Sequence, residues 1–224
     1  MKKPGIIILA ALLAAACTSE TYESGDGKHS YLTTGFVELH TAAAKVVTLA
    51  VTDHDDTLHF APSLACEWAV KADTAYRALL YYNVGNGAQA VEPVSATMIP
   101  VLRWRMTSDM ADVVTDPVVF QSAWISLNGS YLNIGLGLKS GTDASLPEDT
   151  KQSLGMMCDT VMTRDDGTRL YQLRLFHAQN GIPEYYTNRL YVSVPLRELR
   201  NGDEIQLTIN TYGGTVVRIL PFCR

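Results

Sequence analysis

The chain has 224 residues, 47% of them hydrophobic, and a formal net charge of −5, which is enough material for one large or two small domains. Its 18 Lys and Arg residues form no basic stripe. This argues against nucleic acid as a partner, because phosphate contacts need clustered cations. Beyond the N-terminus, no apolar stretch approaches the roughly 20 residues that cross a bilayer as a helix.

The N-terminus has the pattern of a secretory signal. Lys2 and Lys3 precede an unbroken apolar run, 6–16, which ends in three alanines directly before Cys17. The run is too short to span a bilayer, and small residues before a cut are typical of a signal peptide. We therefore predict that residues 1–17 form a signal segment and that cleavage occurs directly before the cysteine.

The cysteine makes this segment similar to a bacterial lipoprotein signal, which implies that Cys17 is lipidated and becomes the new N-terminus. Ala14 stands where such signals usually carry Leu. The alternative is ordinary cleavage after the alanines, which leaves Cys17 as a free terminal thiol. Residues 18–31 are small, polar and acidic, and we predict that they form a flexible tether.

Nearly all of the chain after residue 32 has the pattern of short β-strands. Apolar and polar residues alternate in runs that are separated by turn-forming Gly, Asn, Asp and Pro, as in sheets with one solvated face. The strand at 89–105 is expected to bend at its prolines. In chain order the predicted strands are 36–40, 45–52, 57–60, 75–84, 89–105, 118–127, 131–138, 152–163, 168–177, 189–196, 205–209 and 216–222.

These strands fall into two groups. An acidic linker at 107–116 separates about five strands in 32–106 from about seven in 117–224. Five strands fit a small OB-like barrel, and seven fit a β-sandwich. The predicted fold is therefore all-β, with an N-terminal OB-like barrel followed by a C-terminal β-sandwich.

No cluster of residues indicates catalysis or metal binding. The densest group of oxygen ligands, 53–56, lacks the spacing of a calcium loop, and aspartates in turns usually bond to their own backbone. No nucleophile elbow or dinucleotide motif is present. We expect no catalytic residue, no metal and no cofactor, although two carboxylates from distant strands, as used in glycoside cleavage, stay possible.

The remaining cysteines, Cys66, Cys158 and Cys223, match no zinc pattern. Either they are small buried hydrophobic residues, or one disulfide joins Cys158 to Cys223, which both lie in the C-terminal half.

Aromatic residues are the candidates for ligand binding. Tyr185 and Tyr186 lie in a loop with Pro, Gly and Asn nearby, which favours exposure, and Trp124 and Tyr131 are further candidates. Such rings could stack on a glycan, whereas aromatic residues on strands more often pack in the core.

Several segments resemble those of NigD-like lipoproteins of Bacteroidota. The motif Trp-Ile-Ser-Leu-Asn-Gly-Ser-Tyr-Leu-Asn-Ile at 124–134, the His-containing strand at 173–178 and the strand at 191–196 occur in the family's order. In the first half, 57–62 and the Arg-containing strand 77–82 fit as well. The resemblance implies an OB-like domain, a β-sandwich and an envelope lipoprotein, but it implies no biochemical role.

The sequence thus predicts an outer-membrane lipoprotein that is held by Cys17 and faces either the cell surface or the periplasm. We expect a non-catalytic binding or protective module whose partner is an envelope protein or a glycan. The alternatives are an envelope hydrolase that acts on glycans, and a structural component of a surface assembly whose edge strands pair with a partner.

Replacing Cys17 by Ala tests the anchor. The variant should leave the membrane fraction and lose incorporation of labelled palmitate, because the acyl chains that hold the protein would no longer be attached. Fractionation and labelling of wild-type and C17A cells measure this. An acylated C17A protein that stays in the membrane would show that the anchor lies elsewhere.

Overall fold

Thirteen β-strands make up most of the computed structural model, which describes residues 32–84 and 90–224. In that part of the chain no helix is long and apolar enough to cross a membrane. The predicted signal, the tether and the turn predicted at 85–87 lie outside the described residues. The strands are β1 (Leu32–Ala43), β2 (Val46–Thr52), β3 (Thr57–Ala65), β4 (Ala75–Asn83), β5 (Glu92–Met98), β6 (Trp104–Met106), β7 (Val119–Ile125), β8 (Tyr131–Ser140), β9 (Ser153–Thr163), β10 (Arg169–Ala178), β11 (Tyr186–Pro195), β12 (Glu204–Thr211) and β13 (Gly214–Pro221).

The first five strands form one curled antiparallel sheet in the order β3-β2-β1-β4-β5. A parallel bridge between Phe60 and Val91 brings the two edges together, and Val91 exchanges backbone hydrogen bonds with His59 and Ala61. The circular order becomes β1-β2-β3-β5-β4, which is that of an OB barrel. Val37, Leu39 and Leu80, which are fully buried, belong to its core.

The remaining strands form a β-sandwich of two sheets. One has the order β13-β12-β10-β9-β6 and the other β11-β8-β7. Inward-facing aliphatic residues at alternate positions, such as Leu173 and Leu175 on β10 and Ile205 and Leu207 on β12, form the common core, as period-2 patterning requires. The predicted all-β fold, a barrel-like sheet followed by a sandwich, is confirmed.

The prediction of a single strand over 89–105 is wrong. The ladder of β4 and β5 shifts register where Tyr82 faces Pro93, and β5 ends at Met98. The chain then crosses to the sandwich, where β6 pairs in parallel with β9. Pro100, which has no N–H to donate, marks this crossing.

The predicted domain boundaries at 32–106, 107–116 and 117–224 stay predictions. β6 lies before the predicted linker, yet it belongs to the sandwich sheet. The linker itself contains one 3₁₀ turn, Thr107–Asp109.

Candidate functional site

The centre of the site is a buried arginine. Arg77 lies on β4 and is only 4% exposed. Its Nη1 and Nη2 donate to the two carboxylate oxygens of Asp53, at 2.6 and 2.8 Å. Asp53 directly follows β2, so the barrel supplies both members of this bidentate pair. An arginine keeps its charge in proteins, and a buried charge needs such a partner.

The sandwich supplies the other partners. Asn133 on β8 and Ser193 on β11 face each other across the ladder and are fully buried. Arg77 donates from Nη2 to Asn133 Oδ1 at 3.1 Å and from Nε to Ser193 Oγ at 3.2 Å. Ser193 donates to Asn133 Oδ1 at 2.7 Å, and Asn133 Nδ2 donates to Asp53 at 3.1 Å. The four side chains form one network, the Arg77 network.

Tyr131 covers the Arg77 network. The guanidinium carbon of Arg77 lies 4.3 Å from the centroid of the Tyr131 ring, a distance typical of a cation–π contact. The Tyr131 hydroxyl donates to the carboxylate of Glu38 on β1. Burial and this hydrogen bond raise the pKa of Tyr131 to about 12. Tyr131 is therefore a neutral donor rather than a base.

A cleft of about 500 Å³ opens beside Tyr131. It lies between the barrel and the sandwich, both of which belong to the unit formed by residues 33–224. Arg103 and Arg197 are exposed on it, and Trp104 is half-buried. Its lining residues are Glu38, Ala75, Arg77, Val101, Arg103, Trp104, Tyr131, Pro195, Arg197 and Glu198.

Of the four aromatic residues that the sequence indicated, only Tyr131 lines this cleft. Trp124 is half-buried and packs edge-on against Phe36 and Tyr191, with centroids 5.3 and 6.1 Å away. The Phe36 ring in turn lies 5.6 Å from the guanidinium of Arg77. Trp124 therefore packs beside the Arg77 network.

Tyr185 and Tyr186 are exposed, at 75% and 53%, but they lie far from the cleft. In the ladder of β8 and β11, Tyr186 faces Ser140, whereas Tyr131 faces Pro195 at the opposite end. Nine residue steps along a strand are about 30 Å. The structure therefore does not bring Tyr185 and Tyr186 together with Tyr131.

The acidic turn at 53–56 contacts the sandwich. Asp53 accepts from the backbone N–H of Asn128 at 2.9 Å through its carbonyl oxygen, and Asp55 accepts from the Asn128 side chain at 2.9 Å. In the described part of the chain, no group of three or more His, Cys, Asp or Glu residues could hold a metal ion.

The three cysteines between residues 32 and 224 are free. Cys66 and Cys158 are buried, and burial raises the pKa of both thiols. These two therefore behave as small hydrophobic residues, whereas Cys223 is exposed.

An OB-type barrel that shares a buried ionic network with a β-sandwich defines a class of two-part all-β proteins. The family model described as the NigD-like C-terminal beta sandwich domain matches residues 104–220, more than half of the chain. The chain therefore belongs to the NigD-like family, as the sequence motifs predicted. No catalytic family is indicated, and no curated protein sequence matches the chain.

Solved structures from Bacteroidota share the fold. A NigD-like immunity protein from Bacteroides caccae has a TM-score of 0.62 at 21% identity, over 84% of this chain and 90% of that one. A toxin-related protein from Parabacteroides distasonis has a TM-score of 0.62 at 18% identity, over 84% of this chain and 92% of that one. A protein named as a lipoprotein from Bacteroides fragilis has a TM-score of 0.59 at 12% identity, over 86% of this chain and 98% of that one. At these identities the likeness concerns the fold alone.

Replacing Asp53 by Asn should destabilise the protein by about 3–5 kcal/mol, because the Arg77 guanidinium would stay buried without its counter-charge. Urea unfolding measures the change. Asp159→Asn is the control, because it breaks the half-exposed pair of Asp159 with Arg174 and should cost at most about 1 kcal/mol. Equal losses in the two variants would contradict a structural role for the Arg77 network.

Tyr131→Phe should cost about 1.5–3 kcal/mol, because it removes a hydrogen bond to a charged acceptor. The pKa of Tyr131 is raised from its ordinary value of 10 to about 12 in the folded protein. The contribution of the hydroxyl should thus be complete below pH 10 and be lost as the pH rises toward about 12. Urea unfolding of wild type and Y131F from pH 8 to pH 11 gives the difference, and a difference that stays constant above pH 10 would contradict the assignment.

Proposed function

We propose that this protein is a lipid-anchored envelope protein that binds a ligand, without catalysis, in the cleft beside Tyr131. The observation that carries the proposal is the state of the polar groups on the cleft wall. Arg77 donates four hydrogen bonds to Asp53, Asn133 and Ser193, and Tyr131 is held protonated against Glu38. Groups committed in this way shape a wall and do not exchange protons near neutral pH.

The cleft also has the size and rigidity of a binding site. Its volume of about 500 Å³ falls within the range of roughly 300–1,000 Å³ of small-molecule sites. Its wall residues Glu38, Arg77 and Tyr131 lie on the strands β1, β4 and β8, and sites on strands are held more accurately than sites on loops.

The anchor rests on the sequence. The basic residues, the apolar run and the alanines before Cys17 support lipidation, and one structural neighbour carries the name lipoprotein. A tether of residues 18–31 would reach at most about 50 Å when extended, so the cleft would stay close to the outer membrane. Two other neighbours are called an immunity protein and a toxin-related protein, and protection of the envelope is one role that such binding would serve.

One observation favours the hydrolase alternative. Glu38 and Glu198 line the same cleft, and glycoside hydrolases use two carboxylates. The carboxylate of Glu38, however, accepts the hydrogen bond from the Tyr131 hydroxyl, so it is already engaged within the wall of the cleft.

Filling the cleft tests the proposal. Ala75 is exposed and lines the cleft, so the indole of Ala75→Trp should occupy the space of a ligand. Ala72 is exposed and is not among the lining residues, which makes Ala72→Trp the matched control. The full mature chain in detergent is incubated with oligosaccharides and peptides released from the envelope, and mass spectrometry identifies what is retained.

We expect wild type and A72W to retain the same unmodified ligand and A75W to lose at least tenfold in retention. Equal retention by A75W, or no retention by wild type, would overturn binding in the cleft. If wild type yields cleaved products and the Glu198→Gln variant does not, the cleft catalyses hydrolysis and the proposal of binding without catalysis is wrong.

A further inference from the structure

We infer that the ligand of the cleft is an anionic saccharide, whose acidic group is bound by Arg103 and Arg197; this rests on the proposed binding role of the cleft. Both arginines are exposed and line the cleft. Neither guanidinium makes an ion pair or a side-chain hydrogen bond within 32–84 and 90–224. Arg77, the third arginine of the wall, is neutralised by Asp53. The cations that remain for a ligand are therefore those of Arg103 and Arg197.

The backbone directs the two segments that carry these arginines onto the same cleft. A parallel bridge pairs Val101 with Ser193, and two hydrogen bonds hold it: Leu102 N donates to Ser193 O at 2.8 Å, and Ser193 N donates to Pro100 O at 3.0 Å. Arg103 follows Val101 by two residues and Arg197 follows Ser193 by four, so both belong to segments that leave this parallel bridge in the same direction. The bridge thus brings both segments to the cleft at the place where the chain crosses from the barrel to the sandwich.

Guanidinium groups on one cleft suit a carboxylate, because the planar fork of an arginine matches the two carboxylate oxygens and is less hydrated than an ammonium group. The cleft also contains Glu38 and Glu198. These two negative charges disfavour a polyphosphate, which needs a surplus of cations, and are compatible with a single acidic group.

The remaining wall suits a sugar ring. Trp104 is half-buried and lines the cleft. Pairing with Met156 on β9 and an edge contact with Tyr171, at 6.1 Å between centroids, fix its position. An indole offers a flat apolar face, and carboxylates such as Glu198 accept hydrogen bonds from hydroxyl groups. A ring with hydroxyl groups and one acidic group meets all of these features, as in a uronic acid.

The test compares charged and neutral oligosaccharides. The probes are trisaccharides that contain galacturonate, glucuronate or sialate, each paired with a neutral trisaccharide of the same length, and calorimetry on the full mature chain gives the affinities. At least one charged probe should bind ten times more tightly than its neutral counterpart. Its affinity should fall as salt rises from 50 to 500 mM, because an exposed ion pair is screened.

Arg103→Gln and Arg197→Gln should each weaken binding of the charged probe about tenfold, the usual effect of losing a hydrogen bond between charged groups. Arg105→Gln is the matched control, because Arg105 is exposed on the same strand as Trp104 but does not line the cleft. Thermal unfolding verifies that the three variants are folded.

The outcomes separate this inference from the proposed function. If neutral oligosaccharides bind as tightly as charged ones, or if R105Q weakens binding as much as R103Q and R197Q, the anionic class is wrong. A75W would still abolish binding in the first case, and the cleft would remain a binding site. If no probe binds but A75W loses an envelope ligand, the anionic saccharide is wrong and binding in the cleft stands. If no probe binds and A75W retains what wild type retains, both are wrong.

Discussion

The structure depends on one requirement, that the buried guanidinium of Arg77 be neutralised and hydrogen-bonded. An arginine keeps its charge in proteins, so an arginine that is 4% exposed must receive its partners from the fold. Asp53 provides the counter-charge from the barrel, and Asn133 and Ser193 provide further acceptors from the sandwich. Since leaving any of these groups unpaired in the interior is costly, the two parts of the molecule are fixed in one register.

The same requirement separates the charges that maintain the structure from those that can meet a ligand. Arg77 lines the cleft and is neutralised by Asp53, and Tyr131 stacks on it and hydrogen-bonds to Glu38. Arg103 and Arg197 lie on the same cleft without a partner among the described residues. A ligand therefore meets a rigid wall with a small number of free cations, a combination that gives specificity with little reorganisation.

Most of the architecture could be predicted from sequence, because alternation with period 2 and the turn residues mark strands directly. The prediction of one strand at 89–105 was wrong. Pro93 indicated an irregularity, but no local feature of the sequence showed that Pro100 begins a crossing to another sheet. The candidate site was harder. Tyr131 was indicated as an aromatic residue, yet its partners Glu38 and Arg77 lie 93 and 54 positions earlier in the chain.

A weaker signal for the network was present in the sequence. Asn133 lies between Leu132 and Ile134, and Ser193 lies between Val192 and Val194. A polar residue inside an apolar run of a strand needs a buried partner, and Arg77 within its own largely apolar strand is the complementary case. Which of these residues meet is a property of the three-dimensional arrangement, and a single sequence does not encode that pairing locally.

The Arg77 network also constrains when the chain can finish folding. Asn133 lies 56 positions after Arg77, and Ser193 lies 116 positions after it, so the arginine receives these partners only when distant strands of the sandwich pack against the barrel. Contacts at such sequence separation form slowly. Asp53 lies only 24 positions before Arg77 and can pair with it within the barrel, but the buried network is complete only when the sandwich has formed. We therefore expect the barrel and the sandwich to unfold together in one cooperative transition rather than as two independent parts.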